Sequence, residues 1–208
     1  MDAEPYKVVV WGDSIAAAGW PQTAEFTCNV ALNTGRPVKI INKGVCGQSA
    51  AAARRCFESE ILANNPDLVI LQFGFNDVRH DGSRGALPLS TLEEFEDHLT
   101  AMVRLCREKA HAAVMIFGNH RTRSLLTMPT GLRYDEARAR YNEVACRVAG
   151  RTGVRYLDMA EVINAAGLDY MDVVSEDGVH LSPLGLSTYA QIAASEIAGT
   201  VTAVPKPA

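Results

Sequence analysis

Four short stretches of the chain hold residue types that can cleave an acyl bond. The first is Gly12-Asp13-Ser14. A serine hydroxyl becomes a nucleophile only when a base and a set of hydrogen-bond donors converge on it. The same three residues also suit a plain strand-to-helix turn in which Asp13 or Ser14 caps a helix. The second stretch, Asn42-Lys43-Gly44-Val45-Cys46-Gly47-Gln48-Ser49, has two glycines that permit backbone conformations other residues avoid and leave amides open to a ligand. It lacks the spacing of a dinucleotide or phosphate loop, and a tight turn opening a helix is its simpler reading. The third, Gly74-Phe75-Asn76-Asp77, offers an asparagine amide as a donor, or an Asn and an Asp that stabilise their own turn. The fourth, Asp177-Gly178-Val179-His180-Leu181-Ser182-Pro183, sets a carboxylate close to an imidazole. The carboxylate can accept from one ring nitrogen and leave the other to take a proton. Asp77 and His80 share that spacing, so spacing does not choose between His80 and His180.

These stretches must be held by regular elements. Five runs rich in β-forming residues, Lys7 to Trp11, Val38 to Asn42, Leu68 to Phe73, Ala113 to Phe117 and Val154 to Leu157, are each followed by a segment with helical spacing. The helical segments are expected near Pro21 to Thr34, Ser49 to Asn64, Thr91 to Ala110, Arg133 to Thr152 and Pro183 to Ala198. Continuous apolar strands alternating with helices predict a parallel sheet covered on both faces, a three-layer α/β/α sandwich with five parallel strands. Thr91 before Leu92-Glu93-Glu94 reads as an N-cap with acidic residues where the helix dipole favours them. Ser182-Pro183 opens the last helix, and Asn65-Pro66-Asp67 ends the second. Ligands in such folds bind beyond the carboxyl ends of the strands, where the four stretches fall.

The remaining composition narrows the field. A chain of 208 residues with 48% apolar and 21% charged side chains is expected to form one domain, over residues 1–200, with a frayed tail over 201–208. The net charge of -4, without a long run of like charges, argues against nucleic acid as a partner. No stretch is long enough to span a bilayer, and the start lacks the basic-then-apolar pattern of a signal peptide, so a cytoplasmic location away from membranes is expected. Five scattered cysteines without a Cys-x-x-Cys pair argue against a structural zinc site. The Gly-x-Ser-x-Gly elbow, the His-Glu-x-x-His helix and the Walker loop are absent.

Taken in order along nearly the whole chain, the four stretches resemble the sequence blocks of the SGNH or GDSL hydrolase family. The resemblance implies a flavodoxin-like sandwich and a serine esterase that works through an acyl-enzyme without metal or cofactor. It implies Ser14 as nucleophile, His180 as base and Asp177 as its orienting acid, because the family's acid-base pair lies late in the chain before the last helix. It also implies an oxyanion hole from the amides of Ser14 and Gly47 and the side chain of Asn76. Gly47 is preferred to Gly44 because the family's hole-forming glycine lies five residues after the asparagine matched by Asn42. The expected substrate is a short acyl ester, such as an acetyl ester, of a carbohydrate or small metabolite. A thioesterase or lysophospholipase, or a catalytically silent binding module, are the alternatives.

Substrate contacts are less defined. Asp13, Phe75, Arg121 and Arg123 are candidates. His120, Arg121 and Arg123 after the fourth strand, with Arg79, His80 and Arg84 after the third, put positive charge at the expected rim. That charge suits an anionic or polar-sugar substrate, or is simply solvated. Trp11, Trp20 and Phe75 lie near the blocks and line a pocket or belong to the core.

Overall fold

The computed structural model describes residues 4–203. Five strands, β1 (Tyr6–Gly12), β2 (Val38–Asn42), β3 (Leu68–Gln72), β4 (Ala113–Gly118) and β5 (Arg155–Asp158), form one parallel sheet in the order β2-β1-β3-β4-β5. β3 is buried along its whole length, as a central strand covered on both faces must be. The chain moves from β1 to one neighbour, β2, and then to the other, β3. The strand order therefore reverses beside β1, which opens a crevice at the carboxyl ends of β1 and β3. Gly12 pairs in register with Gln72, and Val10 with Asn42, so the three loops that follow leave the sheet side by side.

Nine α-helices cover the sheet among the described residues: α1 (Ser14–Ala17), α2 (Trp20–Phe26), α3 (Ala50–Arg55), α4 (Phe57–Glu60), α5 (Leu92–Leu105), α6 (Tyr134–Thr152), α7 (Met159–Ala165), α8 (Tyr170–Val173) and α9 (Pro183–Ala203). Thr91 caps α5, as its sequence predicts, and the cap closes as a reciprocal box with Glu94 that the sequence reading did not name. Ser182 accepts from the Gly185 amide through its hydroxyl at the start of α9.

The boundaries differ from the sequence expectation in several places. α2 and α5 each run into a π-helical turn, Thr27–Ala31 and Cys106–Ala110. Left-handed residues stop them: Asn33 and Gly35 follow the first, His111 the second. The single helix expected from Ser49 to Asn64 is broken at Cys56, where ψ is 11° and the thiol turns toward the carbonyls of Ala52 and Ala53. α7 and α8 lie where no helix was expected; Asp158 and Asp169 cap them with their carboxylates. α9 continues to Ala203 and buries Val201, where the frayed tail was expected to begin; the rest of that expected tail, residues 204–208, lies outside the described residues.

The core explains the tryptophans. Trp20 is fully buried, stacked on Phe117 and tilted against Tyr189, with its indole N–H donating to the Ile15 carbonyl. Trp11 is buried edge-on to Phe73. Neither lines a substrate pocket. No helix among the described residues is long and apolar enough to cross a membrane.

Candidate active site

Ser14 is placed by its neighbours. Asp13 caps the single turn of α1, its Oδ1 accepting from the Ile15 amide at 2.9 Å. Ser14 therefore occupies the first helical position, whose N–H has no intrahelical partner. The loop after β2 packs so close to α1 that a Cβ on Gly44 would lie 2.2 Å from the Ala17 nitrogen. Gly47, three residues on, has φ of 77°, a conformation that suits glycine, and its N–H finds no acceptor among the described residues.

The Ser14 hydroxyl lies 2.8 Å from His180 Nε2 across 166 residues of sequence. On the far side of the ring, His180 Nδ1 is 2.6 Å from Asp177 Oδ2. Asp177 Oδ1 accepts from the amides of Val179 and His180 and from the Ser175 hydroxyl. Partial burial raises the Asp177 pKa, but this set of hydrogen bonds outweighs it and holds the carboxyl far below the usual range. Asp177 is thus an anion, and the ring proton on Nδ1 is held facing it, leaving Nε2 to accept from Ser14.

Block three separates its two polar residues. Asn76 faces the cleft, and its Oδ1 accepts from Arg79 Nη1 at 3.3 Å, which turns the amide nitrogen the other way. Asp77 is buried and faces inward: Oδ1 accepts from the Ala50 amide and the Ser90 hydroxyl, and Oδ2 from the Gly74 amide. Asp77 ties three segments together. His80 lines a smaller apolar pocket with Val78, Leu92 and Met128, and its Nδ1 has no hydrogen-bond partner among the described residues. Asp77 and His80 are therefore not an acid-base pair.

Ser14, Gly47, Phe75, Asn76, Asp177 and His180 line one half-open cleft of about 470 Å³. Tyr134, Leu126 and Cys46 also line it, and sequence reasoning did not single them out. Tyr134 reaches the site from α6 and donates to the Phe75 carbonyl at 2.6 Å. No local pattern announces such a contact. Ser175 was legible in principle, lying two residues before Asp177.

Most of the expected substrate contacts are corrected by their partners. Asp13 is completely buried and cannot touch a substrate; burial pushes its carboxyl up to about 7, against the lowering effect of the Ile15 amide. Arg121 lies outside the cleft, 3.5 Å from Asp135 and over the Tyr170 ring. Arg123 Nε donates to the Ser175 carbonyl at 3.0 Å, so this side chain braces the loop of Asp177. Arg84 grips Glu94 through two hydrogen bonds of 2.7 Å. His120 is buried. Of the rim cations named above, only Arg79 lines this cleft, its Nη1 donating to Asn76 Oδ1. Among the described residues no group of three or more His, Cys, Asp or Glu side chains could hold a metal ion.

Comparison with known proteins agrees with this architecture. The chain superimposes on the lipase/acylhydrolase from Enterococcus faecalis with a TM-score of 0.77 at 23% identity, covering 97% of this chain and 99% of the other. It superimposes on the acetyl xylan esterase AlAXEase with a TM-score of 0.75 at 20% identity, covering 92% and 99%. For Axe2, an acetylxylan esterase from Geobacillus stearothermophilus, the values are 0.74, 18%, 96% and 95%. At these identities the likeness is one of fold. No curated protein matches the chain in sequence. A five-stranded parallel sandwich with these blocks at its carboxyl edge defines a hydrolase that acts on esters. The chain belongs to the GDSL-like lipase/acylhydrolase family, whose sequence profile matches residues 10–186.

Proposed function

We propose that this protein is a serine esterase that removes short acyl groups, acetyl above all, from a carbohydrate or small metabolite. One observation carries the reading: Ser14, His180 and Asp177 stand in a hydrogen-bonded line, 2.8 Å and 2.6 Å between successive members, at the mouth of a cleft. His180 Nε2 takes the proton of Ser14 as the hydroxyl oxygen attacks the acyl carbon. The charge that develops on the carbonyl oxygen is met by the amides of Ser14 and Gly47 and by the Asn76 side chain. His180 then returns the proton to the leaving alcohol, and the acyl group stays on Ser14. A water, deprotonated by His180, attacks the acyl-enzyme and releases the acid.

The acetyl and carbohydrate parts of the reading draw support from the acetylxylan esterases of the same fold. Arg79 offers the cleft a cation for a polar or anionic group on the substrate. A second reading, a longer acyl chain carried as a lysophospholipid or thioester, is favoured by Leu126, which lines the cleft while 58% exposed, and by its exposed neighbour Leu125. Ser14→Ala tests the first claim: hydrolysis of an activated acetyl ester falls to background while the fold persists. Unchanged turnover refutes it. A series of acyl chain lengths, as oxygen esters and thioesters, separates the two substrate readings.

A further inference from the structure

We propose that His120 is a positioning residue of this site: by donating a hydrogen bond from Nε2 to the Val179 carbonyl, it fixes the peptide that carries His180. The proposal rests on the reading of His180 as the general base.

His120 follows β4 and is 1% exposed, yet both of its ring nitrogens have partners. Nε2 is 2.8 Å from the carbonyl oxygen of Val179. A carbonyl can only accept, so the hydrogen resides on Nε2. Nδ1 is then the acceptor of the neutral ring and takes the hydrogen of the Tyr189 hydroxyl at 2.7 Å. The Tyr189 oxygen in turn accepts from the side-chain amide of Gln72, a fully buried residue of β3. An amide donor at one end and a carbonyl at the other give the chain from Gln72 through Tyr189 and His120 to Val179 a single direction. Burial lowers the His120 pKa to about 4; Arg138 and His180 push the same way, against the Val179 hydrogen bond and Asp135. The neutral ring that the chain requires is therefore the stable one. Phe75 and Tyr189 pack on its faces and edges with centroids at 5.0 and 5.5 Å.

The carbonyl of Val179 and the amide of His180 belong to one peptide plane. His120 holds its oxygen, and Asp177 Oδ1 holds its N–H at 2.9 Å. A plane gripped at both ends cannot pivot, and the imidazole it carries keeps its 2.8 Å approach to Ser14. The rest of the segment after β4 acts on the same loop: the Arg123 amide donates to the Gly178 carbonyl, and its guanidinium to Ser175. Small displacements matter here, since a shift of about 1 Å at a reacting group can cost about 10²-fold in rate.

Two side chains separate this role from simple core packing. Glutamine can place its terminal amide nitrogen where Nε2 lies, whereas the shorter asparagine reaches only the Nδ1 position. His120→Asn is expected to lower kcat for p-nitrophenyl acetate by about 10²-fold with KM within about twofold, and His120→Gln to return within about tenfold of wild type. Equal kcat in the two variants, or losses that follow their melting temperatures, overturns the proposal. A second measurement needs no variant: nitrogen-detected NMR of the wild-type protein near neutral pH reads the tautomer. A His120 ring with hydrogen on Nε2 supports the role, and hydrogen on Nδ1 refutes it. His180→Ala run alongside keeps the two readings apart. Full activity in that variant removes His180 as base, whereas an inactive His180→Ala beside a fully active His120→Asn removes only the role of His120.

Discussion

Gly12 of β1 lies in register with Gln72 of β3. Two residues beyond Gly12 stands Ser14, and four beyond Gln72 stands Asn76, so neighbouring strands deliver a hydroxyl and an amide to the same cleft. Asn42, paired with Val10 on the opposite side of β1, sends Gly44 and Gly47 to the same edge. The loop before α9 then closes the cleft with Asp177 and His180.

Asp177→Asn is expected to lower kcat by about 10⁴-fold, because the ring of His180 loses the acceptor that selects its tautomer. His80→Ala is expected to change kcat only slightly, since His80 lines a different pocket. Steady-state kinetics on an activated acetyl ester checks both. The folded pKa of Asp177 is depressed, so any stability it contributes is present above the ordinary carboxylate pKa and is lost as pH falls below it.

Asn76→Ala is expected to reduce kcat by about 10² to 10³-fold with KM little changed, the pattern of a donor used in the transition state. A rise in KM with kcat intact would instead assign Asn76 to ground-state binding.

Asp13→Asn is expected to stabilise the protein increasingly as pH rises. The Asp13 carboxyl is fully buried, and burial pushes its pKa up to about 7 from 3.8 against the lowering effect of the Ile15 amide and the Asn76 side chain. Between those values the folded state binds a proton that the unfolded state has released, so wild-type stability falls with rising pH. Asparagine keeps an oxygen for the Ile15 amide and removes the titration. Thermal unfolding at pH 4 and pH 8 should show a larger gain at the higher pH; an equal gain at both refutes the linkage.

Gly44→Ala and Gly47→Ala should differ. A Cβ on Gly44 meets the backbone of α1, whereas one on Gly47 meets nothing within 4 Å. Gly44→Ala is expected to cost about 1–3 kcal/mol and to displace Ser14, lowering both Tm and kcat. Gly47→Ala carries only the left-handed backbone strain of about 1–2 kcal/mol. Melting curves with kinetics on the same preparations distinguish them.

Arg79→Ala is expected to lower kcat/KM more for an ester bearing a carboxylate than for its neutral analogue, and to remove the salt dependence of the former. Equal effects on both esters would reduce Arg79 to a partner of Asn76.

Much of this architecture is legible in the chain. The strand Val38–Asn42 and the N-cap at Thr91 follow from short-range causes: apolar runs long enough for a strand, and a hydroxyl just ahead of two glutamates. The break at Cys56 and the π turns after α2 and α5 escape such reading, because they are set by how the helices seat on the core. α7 and α8 were missed because four to seven residues carry too little periodicity.

The sequence by itself determined the alternation of strand and helix, and hence a parallel sandwich, together with the four blocks that mark the family. These are properties of neighbours along the chain. Local spacing left His80 and His180 equal and only the family resemblance favoured His180; the tertiary structure shows which residues share the cleft. It places His180 beside Ser14, and it spends Arg84, Arg121 and Arg123 on Glu94, Asp135 and the Ser175 carbonyl. It also buried His120 against Val179. Each of those outcomes depends on partners at least ten residues away, whose meeting is set by strand order and helix packing rather than by local spacing.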